Sequence, residues 1–482
     1  VPIIDALTET LALARQRASS RLTPPPTPVR SVAIHLGVLV LWIALFLLAF
    51  GRGGVAAWSV GLAYLAYDLA LLIFTGWQIS RIAARDAAAA PVPDGSTLAV
   101  LIAAHNEETA LPVTLTALLN SDRAPEQIVI ADDGSTDGTA RLLTEDFGLR
   151  DDGASVRIGD TAVRWLRLPH AGKAPALNAA LATTSCDVIL TVDADTVVEP
   201  GAIRAVLQAF SAEPDLVAVT GVITPVCAPG VRGRVLQWFQ TYEYLRNFLS
   251  RYAWMRIDCL QLISGAFAGF RRTAVVAVGG FDDACLVEDY ELVARLWRYA
   301  GEHNLSWRFR ALGDAQARTE APGTVLAFLR QRRRWFGGFL QTQWWYRAMV
   351  GDRRLGALGT VMLPIKALDT VHPLYGLTAL ALLASFLTAG RFDILGPVLL
   401  VVAGKLMIDM VFAAWSVRRY RRWTGDPGRA SMTGSALATV VAPVTFTPLL
   451  HAGAALGWVA FLAGTARWGS QRRFGMTMSA DG

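Results

Sequence analysis

Apolar residues run almost unbroken from Val32 to Phe50 and again from Val55 to Trp77. Each run is long enough for a helix to cross a hydrocarbon core about 30 Å thick. The link Gly51-Arg52-Gly53-Gly54 allows only a tight hairpin between them. From Leu98 the pattern changes. Short apolar runs (Leu98–Ala103, Gln127–Ala131, Trp165–Leu168, Val188–Val192, Leu216–Val222) alternate with helical stretches (Thr109–Leu119, Thr139–Phe147, Lys173–Ala182, Ala202–Phe210). Such alternation predicts a largely parallel sheet with helices on both faces, and ligands bind such sheets beyond the carboxyl ends of the strands. Two stretches, Val235–Arg256 and Val325–Met349, mix tryptophan, phenylalanine and tyrosine with arginine. They are too polar to span and are expected as interface helices in the headgroup layer, with ordinary surface helices as the alternative. After Gly356 the apolar pattern returns, with plausible spans at Leu368–Leu387 and Ile394–Val417. A third apolar region, Ala436–Gly464, is broken by Pro443 and Pro448 and reads as one long span or a re-entrant hairpin. Arg472 and Arg473 beyond it favour the hairpin.

Composition sharpens this picture. A hydrophobic share of 53% exceeds what a soluble chain usually carries, so some apolar residues must face lipid. The formal charge of +6 comes from arginines that flank the apolar runs, the habit of cytoplasmic loops. With no nucleic-acid-binding module legible, nucleic acid is excluded as a partner. Arg15, Arg17, Arg21, Arg30 and the Pro24-Pro25-Pro26 stretch suggest a partly disordered cytoplasmic tail. A signal peptide is not expected, because the apolar run starts late and continues too long. Four cysteines without a CxxC pair argue against a zinc site or a disulfide framework. Only three lysines occur (Lys173, Lys366, Lys405), so each invites a local reason. The predicted organisation is a cytoplasmic tail (1–31), two transmembrane helices (32–77), a catalytic domain (97–324), an interface helix (325–350), a C-terminal transmembrane region of about three to four segments (357–464) and a tail (465–482).

Chemistry concentrates in the middle of the chain. Asp132-Asp133-Gly134-Ser135 and Asp193-Ala194-Asp195 each follow an apolar strand candidate. Carboxylates two apart at a strand end can converge on a hard divalent cation. Glu288-Asp289 follows Gly279-Gly280-Phe281-Asp282, and a positioned carboxylate acting as general base contributes about 10²–10⁴-fold. In Gln331-Arg332-Arg333-Arg334-Trp335, Gln331, Arg334 and Trp335 share one side of a helix. Taken singly, several of these are common turn or helix-start sequences. In this order and setting they resemble the processive, membrane-embedded family 2 glycosyltransferases, such as cellulose, chitin and hyaluronan synthases. The resemblance runs by motif from about Leu98 to Ala348 and more loosely through the flanking membrane segments.

That resemblance implies a GT-A, Rossmann-like α/β cytosolic domain inserted between transmembrane segments. It implies that Asp132, Asp133, His105, Glu107, Lys173, Asp193 and Arg334 contact the nucleotide-sugar donor. Asp195, with Asp193, would seat Mg²⁺ or Mn²⁺. Asp289 would be the base, with Glu288 beside it, while Trp335, Gln331, Ser264 and Gly265 line the acceptor site. Two departures fall at Ala103 and His105, where the family usually carries proline and tyrosine, and Val287 precedes Glu288-Asp289 where threonine or glycine is usual. Arg332 and Arg333 are expected to meet headgroups or solvent. Lys405 and Asp409, four apart in an apolar span, are expected as an ion pair or as lining of a polymer path; Lys366 and Asp369 repeat the spacing loosely. The expected activity is inverting, metal-dependent extension of a β-linked polysaccharide from a UDP-sugar, with outward translocation. The alternative is a non-processive transferase with a lipid acceptor. The expected place is the plasma (inner) membrane, multi-pass, with the catalytic domain cytoplasmic and room for a separate accessory or regulatory subunit.

Overall fold

The computed structural model describes residues 2–51, 53–82, 95–425 and 430–464. Between the apolar helices lies a sheet of nine strands: β1 (Leu98–Ala104), β2 (Gln127–Asp133), β3 (Ser155–Ile158), β4 (Thr161–Leu168), β5 (Val188–Val192), β6 (Thr196–Val198), β7 (Leu216–Val226), β8 (Phe267–Arg271) and β9 (Arg308–Glu320). Their order is β3-β4-β2-β1-β5-β8-β7-β9-β6. The half β4-β2-β1-β5 is parallel, as the alternating pattern predicts. Beyond β5 the pairing turns antiparallel through β8, so the sheet is mixed, not largely parallel. Along β1, Leu98, Val100 and Ile102 enter one apolar core while Ala99 and Leu101 enter the other. Burial on both faces is what makes these strands read as continuous apolar runs. Each fully buried large aliphatic contributes about 1.5–3 kcal/mol.

Among the described residues, four helices are long and apolar enough to cross a membrane: Val29–Ala49, Gly54–Ile79, Leu358–Thr388 and Phe392–Thr424. The first exposes Leu36, Leu39, Val40 and Leu47, a surface with no partner in the fold that lipid would satisfy. In the broken last region, Met432–Val444 and Phe446–Leu462 are bent by 56° at the break, which suits either a broken span or a re-entrant loop. Arg52 in the short link, Arg85 and residues 91–94 after the second apolar run, and the tail with Arg472 and Arg473 lie outside the described residues.

The N-terminal tail is not disordered. Pro2–Ala18 is a helix that buries Leu11 in the apolar core on one face of the sheet. Arg21 then donates to both oxygens of the buried Asp282 (2.9 and 2.8 Å), and the Arg15 Nε donates to the Gly279 carbonyl at 2.8 Å. Composition suggested disorder because the arginines' partners are remote in sequence. In the second apolar region, Lys405 donates to Asp409 at 2.6 Å, as its spacing suggests, and also to Asp68 of the Ser59–Ile79 helix at 2.5 Å. The Val231–Met255 helix reaches the same cluster through Arg246, 3.7 Å from Asp68.

Candidate active site

Strand β2 carries Asp132 and Asp133 to the rim of the parallel half-sheet, and the two carboxylates do different jobs. Asp133 accepts from the backbone N–H of Ala171 (2.7 Å) and Gly172 (2.9 Å) and lies 2.9 Å from His170 Nδ1. It thereby stitches the strand end to the turn that opens the Lys173–Ala182 helix. Asp132 accepts the Ser135 N–H at 2.9 Å through one oxygen, while its other oxygen is buried without a partner. An orphaned buried carboxylate oxygen asks for a donor group from a ligand. Gly134 is needed between them: its φ is +69°, and a Cβ there would meet the His170 backbone nitrogen at 2.8 Å. Above the strand end, exposed His105 stacks on His170 with centroids 4.4 Å apart. Asn106 accepts from the N–H groups of Thr136 (2.8 Å) and Asp137 (3.2 Å), and the buried Glu107 donates its backbone N–H to Thr139 at 3.0 Å. His105, Glu107, Asp132 and Asp133 thus share one rim.

Lys173 unites the other two acidic motifs. Its Nζ lies 2.7 Å from Asp193 and 3.0 Å from Glu288. Burial alone would push the ammonium's pKa down, but Asp193, Glu288 and Asp289 outweigh it and hold the lysine well above its ordinary value. Asp195, buried at 3% exposure, lies 3.3 Å from the Thr319 hydroxyl of β9.

Asp289 lies in the first turn of the Glu288–His303 helix. One of its oxygens accepts the Gly265 N–H at 2.5 Å and the other the Tyr290 N–H at 2.8 Å. Burial and the neighbouring Glu288 carboxylate push its pKa up to about 6, against the pull of Lys173. A carboxylate tuned this way suits general base work near neutral pH. Gly265 must be glycine, since a Cβ would sit 2.9 Å from that carboxylate. Neighbouring Ser264 donates its backbone N–H to Thr220 at 3.4 Å.

The Val325–Trp345 helix packs against the same segment. Its Gln341 accepts the Leu286 N–H at 3.2 Å, and Trp335 packs with Cys285, Val287 and Tyr290. Gln331 is buried with its Oε1 unpartnered, and Arg334 is half-buried. Arg332 departs from expectation: it is buried, ion-paired to Glu243 at 2.7 and 2.8 Å, and lies over the Trp335 ring at 4.5 Å. It turns inward because Glu243, on the Val231–Met255 helix, supplies a buried counter-charge; Arg333 is exposed, as expected. His170, Thr319, Glu243 and Asp68 were missed. No motif marks them, and only the pairing of distant elements brings them in.

Among the described residues, His105, Asp133 and His170 place ligand atoms within 4.8 Å of one another. That group is already consumed, because the oxygens of Asp133 accept backbone N–H groups. Asp193, Asp195 and Glu288 offer the hard carboxylate oxygens that Mg²⁺ and Mn²⁺ prefer, with a lysine holding the positive charge between two of them.

Residues 188–400, which carry Asp195, Asp289 and the Gln331–Trp335 run, match the model of the glycosyl transferase family group 2. Poly-beta-1,6-N-acetyl-D-glucosamine synthase of Staphylococcus aureus (strain COL) is 30% identical over 242 residues, 49% of this chain and 53% of its own length. The synthase of the same name from Staphylococcus epidermidis is 29% identical over 246 residues, 50% of this chain and 54% of its own. The chain therefore spans about half the length of the curated relatives it matches. A mannosyltransferase from Pyrobaculum calidifontis, solved in complex with GDP-Man and Mn²⁺, shares the fold: 21% identity, TM-score 0.52, covering 81% of this chain and 99% of that one.

Proposed function

We propose that this protein is an inverting, membrane-embedded glycosyltransferase that extends a β-linked polysaccharide from a UDP-sugar. The observation that carries the reading is the Lys173 bridge between Asp193 and Glu288, which sets the strand-end acids beside a base tuned to about pH 6. In the reaction, Asp289 takes the proton of an acceptor hydroxyl. The oxygen attacks the anomeric carbon as the bond to the diphosphate breaks, and UDP departs with the electron pair. Asp132 and the His105 rim hold the nucleotide, and Lys173 and Arg334 face the diphosphate. Trp335 and Gln331 border the acceptor. Asp193, Asp195 and Glu288 would hold Mg²⁺ or Mn²⁺, which offsets charge on the leaving group.

The staphylococcal relatives make N-acetylglucosamine the first donor to test and a polymer the first product to seek. The exposed apolar helices support a multi-pass place in a bilayer, and the arginines on their flanks support a cytoplasmic catalytic domain. The two aromatic-basic helices would lie at the interface, and the product would pass outward between the membrane helices. The test is a radiolabel assay with UDP-N-acetylglucosamine, UDP-glucose, UDP-galactose and UDP-glucuronate, each with Mg²⁺ or Mn²⁺. Water-phase label of high molecular weight supports the reading and names the donor. Label confined to the organic phase replaces it with a lipid-directed transferase, and no UDP release from any donor overturns both.

A further inference from the structure

Two exposed histidines at the rim of the parallel half-sheet are anchored on one residue, Asp133. His105 Nδ1 lies 2.8 Å from the Asp133 carbonyl oxygen. His170 Nδ1 lies 3.1 Å from that same oxygen and 2.9 Å from the Asp133 carboxylate. A carbonyl and a carboxylate only accept, so each Nδ1 carries the proton and each neutral ring keeps its lone pair on Nε2. Asn106 agrees with this tautomer for His105. Its Oδ1 accepts the N–H groups of Thr136 and Asp137, which turns its amide nitrogen toward His105 Nε2 as a donor at 3.2 Å. The rings stack 28° apart with centroids at 4.4 Å. With both Nδ1 atoms turned to Asp133, both Nε2 atoms face away from it on the open side of the rim.

Imidazoles that bind a metal through one nitrogen commonly donate the other N–H to a carboxylate or a backbone carbonyl, which fixes tautomer and ring orientation. Here one residue supplies both kinds of acceptor, and the N–H groups of Ala171 and Gly172 hold its carboxylate in turn. Those bonds consume Asp133 as a ligand, and with it the hard oxygen that Mg²⁺ or Mn²⁺ would ask for. Two imidazole nitrogens remain, and these are donors that suit zinc. One ligand atom from each ring and a carboxylate oxygen of Asp133 lie within 4.8 Å of one another. Two Zn–N bonds of about 2.0–2.1 Å span up to about 4 Å, so a small swing of two exposed rings closes them on an ion. The contact from the Asn106 amide is the bond that the ion would displace.

We infer that His105 and His170 form a zinc site through their Nε2 atoms, oriented by Asp133, and that zinc bound there excludes the nucleotide from the rim. The site itself stands on the contacts of the two histidines. The exclusion rests on the transferase reading above, in which the His105 rim holds the nucleotide.

The experiment uses the full chain in detergent, stripped with EDTA and returned to saturating Mg²⁺ so that the carboxylate set is filled. Calorimetry with Zn²⁺ as titrant is expected to show a single site per chain. His105→Gln and His170→Gln are each expected to weaken it by about 10- to 100-fold. Glutamine keeps an N–H for Asp133 but brings no ring nitrogen, and thermal melts check that both variants are folded. Excess UDP is expected to weaken zinc binding about tenfold or more, and zinc to weaken UDP by the same factor. In turnover, zinc should raise the KM for the donor and leave kcat in place. Zinc binding needs no turnover, so binding without UDP release from any donor supports the site and fails the transferase reading alone. An absence of zinc binding overturns the site, as does binding that keeps its strength in both variants, which would put the ion on the carboxylates. Binding that is lost in the variants yet indifferent to UDP overturns the exclusion.

Discussion

Asp289 and Gly265 make a pair in which one residue's missing side chain sets the other's position. The Gly265 N–H fixes the carboxylate at 2.5 Å, and a Cβ would stand 2.9 Å from the same oxygen. Gly265→Ala is therefore expected to displace the base and lower kcat by about 10²-fold while UDP still binds, read by steady-state kinetics beside calorimetry. Unchanged kcat would show that the carboxylate has room to move. The raised pKa gives a second expectation. Only the ionised form accepts a proton, so kcat/KM should climb with pH and level off above about 6. Asp289→Asn should remove turnover at every pH. At this scale the sequence was informative about identity and silent about partnership. Glu288-Asp289 and the scarce Lys173 stood out as chemistry, but the Lys173 bridge joins strand-end and helix-start acids far apart in the chain. Arg332 shows the same limit, since Glu243 lies 89 positions away and nothing local announces it.

Elements were legible where burial is two-sided. β5 and the Lys173–Ala182 helix fall where the apolar pattern put them, because an apolar run or a glycine start marks each. β8 and β9 were not read. β9 alternates buried and accessible positions and carries arginines along its length, so half of it resembles surface. β8 lies inside a glycine- and alanine-rich stretch that resembles a pocket loop. The N-terminal helix was missed for a related reason: its apolar stripe gains meaning only against the surface it covers. That helix is followed by an ion pair with a clear test. Burial opposes the charge on Asp282, yet Arg21 holds its carboxyl below the usual value. A lowered folded-state pKa gives stability that is present above the unfolded value of 3.8 and lost as pH falls through the folded one. Arg21→Ala should cost about 2 kcal/mol at neutral pH. Thermal melts of the two proteins should converge in acid; a constant gap across pH would assign the loss to packing instead.

On the scale of the whole molecule, the Val231–Met255 helix links elements far apart in the chain. Through Glu243 it grips the Val325–Trp345 helix, and through Arg246 it approaches Asp68 among the apolar helices. Lys405 is the hub of that second contact, 7% exposed and bound to both Asp68 and Asp409. Lys405→Met leaves two carboxylates without their cation and should cost about 3–5 kcal/mol, seen as a lower Tm in detergent. Adding Asp409→Asn should recover part of that loss. Equal melting temperatures would mean that water already shields the cluster. The long apolar helices were legible from the apolar runs. Asp68 was not, because an isolated acid in an apolar run reveals no partner.

The three lysines of this chain are all engaged: Lys173 with Asp193 and Glu288, Lys366 with Asp369 at 2.6 Å, and Lys405 with Asp68 and Asp409. A protonated, ion-paired ammonium is a poor nucleophile toward an activated ester. Amine-directed cross-linkers and dyes should therefore leave every lysine of the folded chain unmodified, and mass spectrometry would find adducts there only after denaturation. The folded protein would be nearly invisible to the commonest labelling chemistry, and attachment points for a probe would have to be introduced.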